Sequence, residues 1–233
     1  MKNLMVANMS DSWRYCKERI FTIVNAQIEN SIESGWKPED IVLIANFDHE
    51  FMGVKVINTE LNKICLTGSK MFAVKWFYDN GFKDTVWAHD LDAWQNWPFD
   101  EPEFKDVGIC CYSRPKFNGG SIFWKYSAKD IIDNIVYWIN ENEQRKEEPT
   151  LNRLLKRKYK DRVTVLNNTY NVGCSGFAPR FQRSEKPIRV CHFHPYKKRA
   201  WFTHATPVIE NEISITIRLE RLLRRYYSEF IEG

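Results

Sequence analysis

Val86-Trp87-Ala88-His89-Asp90-Leu91-Asp92 lies towards the middle of a 233-residue chain. Residues 85–88 have the apolar character and length of a buried β-strand, and they run straight into two carboxylates with Leu91 between them to turn back into the core. A strand that ends on acids sets them where the backbone leaves the sheet, and in an open α/β sheet that rim is where ligands bind.

Outward from this point the chain supplies such a sheet. Towards the N-terminus, residues 2–7 read as a first strand, with Ser10, Asp11 and Ser12 as caps for a helix. Trp13, Cys16, Ile20, Val24, Gln27 and Ile28 then fall near one helical face, and Gly35 with Pro38 ends it. Residues 41–47 form a nearly continuous apolar run, as a parallel strand covered on both faces does. The opening is therefore β-α-β, and a second helix fits residues 69–80, closed by Gly81. Towards the C-terminus, residues 107–112 and 121–125 read as strands separated by the turn-forming Asn118-Gly119-Gly120. Ala128, Ile131, Ile132, Ile135, Val136 and Ile139 signal a helix, and Pro149 suits the first turn of the next one, which carries Leu151, Leu154 and Leu155. Residues 162–166 and 189–194 read as late strands. The tail alternates like a strand at Ile213, Ile215, Ile217 and Leu219 but keeps helical spacing through Leu222, Leu223, Tyr226 and Phe230, so a helix is expected from about Glu210. Together these elements predict an α/β fold with a mixed, mainly parallel central sheet flanked by helices.

Composition agrees. Hydrophobic residues make up 43% of the chain, enough for a sizeable core, which excludes wholesale disorder. No apolar run approaches the roughly 18 residues that span a bilayer, and no export signal is evident, so the chain is expected to be soluble and cytoplasmic. Six cysteines without a C-x-x-C pair read as buried thiols rather than a disulfide or zinc framework. No repeat, low-complexity tract or Gly/Ser linker interrupts the chain, which favours one domain over residues 1–233. The net charge of +4 is unevenly spread: residues 153–199 carry 13 Lys and Arg against Asp161 and Glu185. That segment suits an anionic partner, a nucleoside diphosphate, nucleic acid or an acidic membrane surface, or else forms a solvated basic face.

Two carboxylates as close as Asp90 and Asp92 repel unless a cation holds them. A hard dication, Mn²⁺ or Mg²⁺, prefers such oxygen ligands and bridges to phosphate oxygens, although a bare D-x-D also suits a turn or helix cap. The second signal is Cys191-His192-Phe193-His194-Pro195 before Lys197, Lys198 and Arg199. On a strand, His192 and His194 face the same side, and either imidazole completes a site for Mn²⁺; a buried and a surface histidine also fit the pattern.

The succession of β-α-β, VWAHDLDAW, FNGGSIFW, EEPTLNRLL and VCHFHPYKKRAW resembles the nucleotide-sugar glycosyltransferases of the GT-A fold, and its look is nearest to small viral members. The resemblance runs from about Asn3 to Trp201. It implies that Asp90 and Asp92 bind a divalent metal and the sugar nucleotide, that the late metal-ligand histidine falls on His192 or His194, and that Lys198 meets the diphosphate. It implies a nucleotide-binding half over about residues 1–115 and an acceptor and metal half over about 116–205, before the helix that the spacing of the tail predicts at 210–231. By family frequency the donor is a UDP-sugar. A glycan is the expected acceptor, with a modified base in DNA as the alternative, and a viral chain would work in the cytoplasm of a host cell.

Further candidates follow from the resemblance. Glu148, ranked just above Glu147, is the candidate base for an acceptor hydroxyl, where first-turn acids also suit a helix dipole. Asn118 and Gly119, with Gly120, form a loop approaching the donor sugar, or a plain hairpin turn. Asp48 and Ser10 occupy positions that contact base and ribose. Lys70, beside Gly68 and Ser69 at a helix start, reaches phosphate or is an exposed first-turn lysine. Trp94 or Trp97 offers a face for a sugar. The C-terminal helix, with Arg218, Arg221, Arg224 and Arg225, packs on the domain or lies on a membrane surface. Two other classes compete: a metal-dependent phosphodiesterase or nuclease using Asp90, Asp92, His192 and His194, and a noncatalytic basic module binding nucleic acid.

Overall fold

The computed structural model describes residues 1–9, 17–61, 69–113, 116–141, 147–173, 181–192 and 217–231. In chain order the elements are β1 (Lys2–Ala7), α1 (Lys17–Glu33), β2 (Ile41–Ala45), a hairpin of β3 (Glu50–Phe51) and β4 (Val54–Lys55), β5 (Ile57–Asn58), α2 (Ser69–Asp79), β6 (Val86–His89), β7 (Ala93–Gln95), β8 (Val107–Ser113), β9 (Lys116–Trp124), α3 (Lys129–Asn140), α4 (Glu147–Arg157), β10 (Val163–Val165), β11 (Val172–Gly173), β12 (Val190–His192) and α5 (Ile217–Ile231).

Seven strands form the central sheet in the order β10-β8-β9-β6-β1-β2-β5, and β11-β12-β7 form a smaller sheet. In the central sheet β1 runs parallel to β2 and β6, β2 to β5 and β8 to β10, while β9 is antiparallel to both its neighbours. The mixed, mainly parallel sheet expected from the sequence is therefore present.

Alternation along the strands explains why they bury both faces. Leu4 of β1, Val86 and Ala88 of β6 and Ile122 and Trp124 of β9 point to a core shared with Met71, Val74 and Phe77 of α2, with Ile131, Ile132 and Ile135 of α3 and with Leu151 and Leu155 of α4. Their neighbours Met5 and Ala7 point the other way, into a core with Ile20, Val24 and Ile28 of α1. Trp87 and Phe123 face the same side as the small sheet and pack with Ala93 and Val190. Trp87, Trp94 and Trp124 are all fully buried, whereas Trp97 is half-exposed.

The C-terminal helix lies against α1. Leu219, Leu222 and Leu223 are buried, Arg218 donates to the Asn30 side chain at 2.6 Å, and Arg221 and Arg225 pair with Glu33 and Glu29. This is the packing alternative of the two expected for the basic tail.

One expectation is corrected. Asn118-Gly119-Gly120 does not separate two strands: it lies inside β9. Ile109 pairs with Ile122 and Cys110 with Asn118, so Gly119, Gly120 and Ser121 bulge out of the ladder with β8. The Asn118 side chain closes the bulge by accepting the Gly120 N–H at 2.8 Å.

Candidate functional site

The site lies at the carboxyl end of β6, where the chain leaves the central sheet for β7. Asp90 follows β6 directly, its N–H donating to the Gly120 carbonyl at 2.9 Å, and its own carbonyl accepts the Ala93 N–H at 3.0 Å to make a tight turn. Leu91 packs back against the α1 core, so the two acids face together. Across the turn, Ala93 of β7 pairs with His192 of β12. This register carries an imidazole from 100 residues away to the acids: His192 Nε2 is 2.9 Å from Asp92 Oδ1 and 3.7 Å from Asp90 Oδ2.

Asp90, Asp92 and His192 each offer one ligand atom, and these atoms lie within 4.8 Å of one another. Around a six-coordinate dication with bonds of about 2.1 Å, adjacent donors lie about 3.0 Å apart and opposite donors about 4.2 Å apart. The His192 separations of 2.9 and 3.7 Å lie in or near that range, so two carboxylates and one imidazole could hold a dication such as Mn²⁺ or Mg²⁺. Burial would lower the His192 pKa, but the Asp92 carboxylate beside it outweighs this and raises it.

A buried cation completes the cluster. Lys70, in the first turn of α2, places Nζ 2.5 Å from Asp90 Oδ1 and 3.2 Å from Glu147 Oε1, and it donates to the Gly119 carbonyl. Burial would lower the ammonium pKa, yet the charges of Asp90 and Glu147 overcome it and hold the pKa above its ordinary value. Asn8, just beyond β1, donates to Ser69 Oγ at 3.0 Å and so anchors the start of α2 at the sheet rim. The exposed first-turn lysine allowed by the sequence is therefore not what forms.

Glu147, the first residue of α4, is buried, and burial pushes its carboxyl up to about 7 against the pull of Lys70. Glu148 is turned differently: its side chain is one-third exposed, with Lys116 at 3.7 Å. Asp48 is exposed in the loop after β2, where it accepts from Asn58; its contact is with that strand, not with the group around Asp90. Ser10, His194 and Lys198 lie outside the described residues.

The structure thus brings together Asp90, Asp92, His192, Lys70, Glu147 and the Gly119–Gly120 backbone. Sequence reasoning missed two of these relations. Lys70 was expected to seek phosphate, not to bridge two acids, and Gly120 was read as turn chemistry although its neighbour is His192. Neither carries a local signal, because both contacts join distant segments.

No protein-family model matches the chain, and no curated protein matches it significantly. Solved structures do. A glycosyltransferase involved in glycosylation of the major capsid of PBCV-1 superposes with a TM-score of 0.54 at 12% identity, covering 82% of this chain and 93% of its own. The galactosyltransferase LgtC, solved with donor and acceptor sugar analogues, gives 0.58 at 12% identity over 96% of this chain and all of its own. The glycosyltransferase GlyE of Streptococcus pneumoniae TIGR4 gives 0.56 at 13% identity over 99% of this chain, which spans 64% of GlyE. At such identities the likeness is one of architecture: this chain has the GT-A glycosyltransferase fold that its sequence resembles.

Proposed function

We propose that the protein is a metal-dependent glycosyltransferase that moves a sugar from a nucleoside-diphosphate donor, a UDP-sugar, to a hydroxyl of a glycan. The observation that supports this reading best is the convergence of Asp90, Asp92 and His192 beside buried Lys70 at the rim of the sheet.

Asp90, Asp92 and His192 would hold the dication, with His194 as a further candidate. When bound, that ion supplies a Lewis acid for the departing diphosphate. Breaking the glycosyl–phosphate bond builds negative charge on the leaving group, and fixed cations oppose it without reorganising. Lys70 is such a cation, and Lys198, outside the described residues, is proposed as a second that meets the diphosphate. Glu147 holds Lys70 from the opposite side at 3.2 Å, and Asn118 with the Gly119 backbone would approach the donor sugar. Glu148, more open to solvent, is the base for the acceptor hydroxyl. Ser10 and Asp48 take the ribose and base, on the half formed by residues 1–115.

The test is turnover of UDP-sugars with Mn²⁺ and with chelator. Donor hydrolysis is expected in Mn²⁺ even without acceptor, lost with chelator and lost in Asp92→Asn. Glu148→Gln should keep donor hydrolysis while losing transfer to a glycan. Cleavage of phosphodiesters with no turnover of any sugar nucleotide would overturn the proposal.

A further inference from the structure

The Gly119–Gly120 bulge has a function that a hairpin turn would not. A Cβ built on Gly120 would lie 2.2 Å from both Cε1 and Nδ1 of the His192 ring. Ordinary carbon contacts begin near 3.4 Å, so a methyl group there must displace the ring or the strand by more than 1 Å. Metal–ligand bonds tolerate about 0.2 Å.

Neither partner has a harmless way to move. The ring belongs to β12, whose register with β7 is set by the His192–Ala93 pair. The Gly120 backbone is tied at its carbonyl to the Asp90 N–H at 2.9 Å and at its own N–H to Asn118 Oδ1 at 2.8 Å. Pushing β9 away therefore drags Asp90, and pushing β12 away takes His192 from Asp92. Gly120 is the point where the central sheet, carrying one acid, meets the small sheet, carrying the imidazole.

From this we infer that Gly120 is a positioning residue for the dication: the absence of a side chain there sets the separation between Asp90 and His192. The inference rests on the metal-dependent reading above and adds to it a residue that touches neither metal nor donor. Its mechanism is steric and acts first through the His192 ring at 2.2 Å, with Asn118 Oδ1 the next group at 3.2 Å. Gly119 does not share this role, since a Cβ there would meet Glu147 Oε1 at 3.0 Å and not the His192 ring.

A double-mutant cycle read by Mn²⁺ affinity tests this, with calorimetry or electron paramagnetic resonance as the assay and thermal unfolding in chelator as the companion measurement. Gly120→Ala should weaken Mn²⁺ binding by about 10–100-fold, as loss of an orienting contact does. His192→Ala should weaken it by at least as much. The double variant Gly120→Ala/His192→Ala should bind no more weakly than His192→Ala alone, because the methyl group then occupies space the ring has left. If Gly120→Ala does not fold, restored folding in the double variant supports the same contact, and failure to restore it refutes the contact. Equal Mn²⁺ affinity in wild type and Gly120→Ala would overturn the inference while leaving the metal reading intact. Additive losses in the double variant would also overturn it. No Mn²⁺ binding by the wild type would overturn the metal reading, and the inference with it.

Discussion

Replacing Lys70 by methionine keeps the length of the side chain but removes its charge from the interior. The ammonium lies 3.2 Å from Glu147 Oε1, and at an effective dielectric constant near 20 two unit charges at that distance attract by about 5 kcal/mol. The gain is reduced by the cost of drying both ions, but breaking a buried pair leaves that cost uncompensated and typically removes about 3–5 kcal/mol. The 2.5 Å bond to Asp90 also holds the ammonium, although solvent screens it in part because the Asp90 side chain is 40% exposed. For a chain of this size each kcal/mol shifts Tm by about 2–4 °C, so Lys70→Met should melt about 6–20 °C lower in chelator near pH 8. The pH dependence has a definite sign. Burial raises the Glu147 carboxyl from an ordinary 4.5 to about 7, so protonation favours the fold and stability falls as pH climbs through that window. At pH 5 Glu147 is neutral in the folded state, Lys70 keeps only Asp90, and the loss in Lys70→Met should be smaller than at pH 8. Urea unfolding at the two pH values measures it; a loss under about 1 kcal/mol at pH 8, or equal losses at both, would refute the buried-pair account.

Two other perturbations probe the frame that holds the site. Arg162 bridges Asp106 at 2.5 Å and Asp130 at 2.7 Å, linking the loop before β8, the start of α3 and the approach to β10. Burial works against ionisation of Asp106, but bonds from Ser127 and Arg162 leave its pKa lowered; the Arg162 bond is the main reason Asp130 is lowered too. The network therefore contributes at neutral pH and fades as acid protonates the two carboxyls below about pH 4, so Arg162→Ala should cost about 1 kcal/mol at pH 7 and flatten the acid limb of stability. Leu222 is 1% exposed on the buried face of α5, and Leu222→Ala should lower urea stability by about 2–5 kcal/mol with Mn²⁺ affinity unchanged. A loss of Mn²⁺ binding there would mean that α5 shapes the site as well as covering α1.

Much of this arrangement was legible in the sequence because its signals are local. Residues 85–88 read as a strand since they are apolar and flanked by polar residues, and the acids after them had to lie at the sheet rim. Ile131, Ile132, Ile135, Val136 and Ile139 declared α3 by period alone. What was not legible depends on segments meeting. Asn118-Gly119-Gly120 has the statistics of a turn, and only the approach of His192 from β12 explains the glycine at 120. The two acids at 147 and 148 are equivalent in any helix-start pattern; that Glu147 turns inward to Lys70 while Glu148 faces Lys116 follows from how α4 rests on β9. That His192 meets Asp92 also came from pairing, since the register of β12 with β7 sets it there, while His194 lies outside the described residues.

The central claim is that a sugar nucleotide binds here through a dication held by Asp90, Asp92 and His192. Calorimetric titration of UDP tests it most directly, into the wild type with Mn²⁺, into the wild type with chelator, and into Asp92→Asn with Mn²⁺. The account predicts binding in the first titration and a loss of about 10-fold or more in the other two, a change of about 1.4 kcal/mol or greater. UDP affinity that ignores both the chelator and the substitution would contradict it.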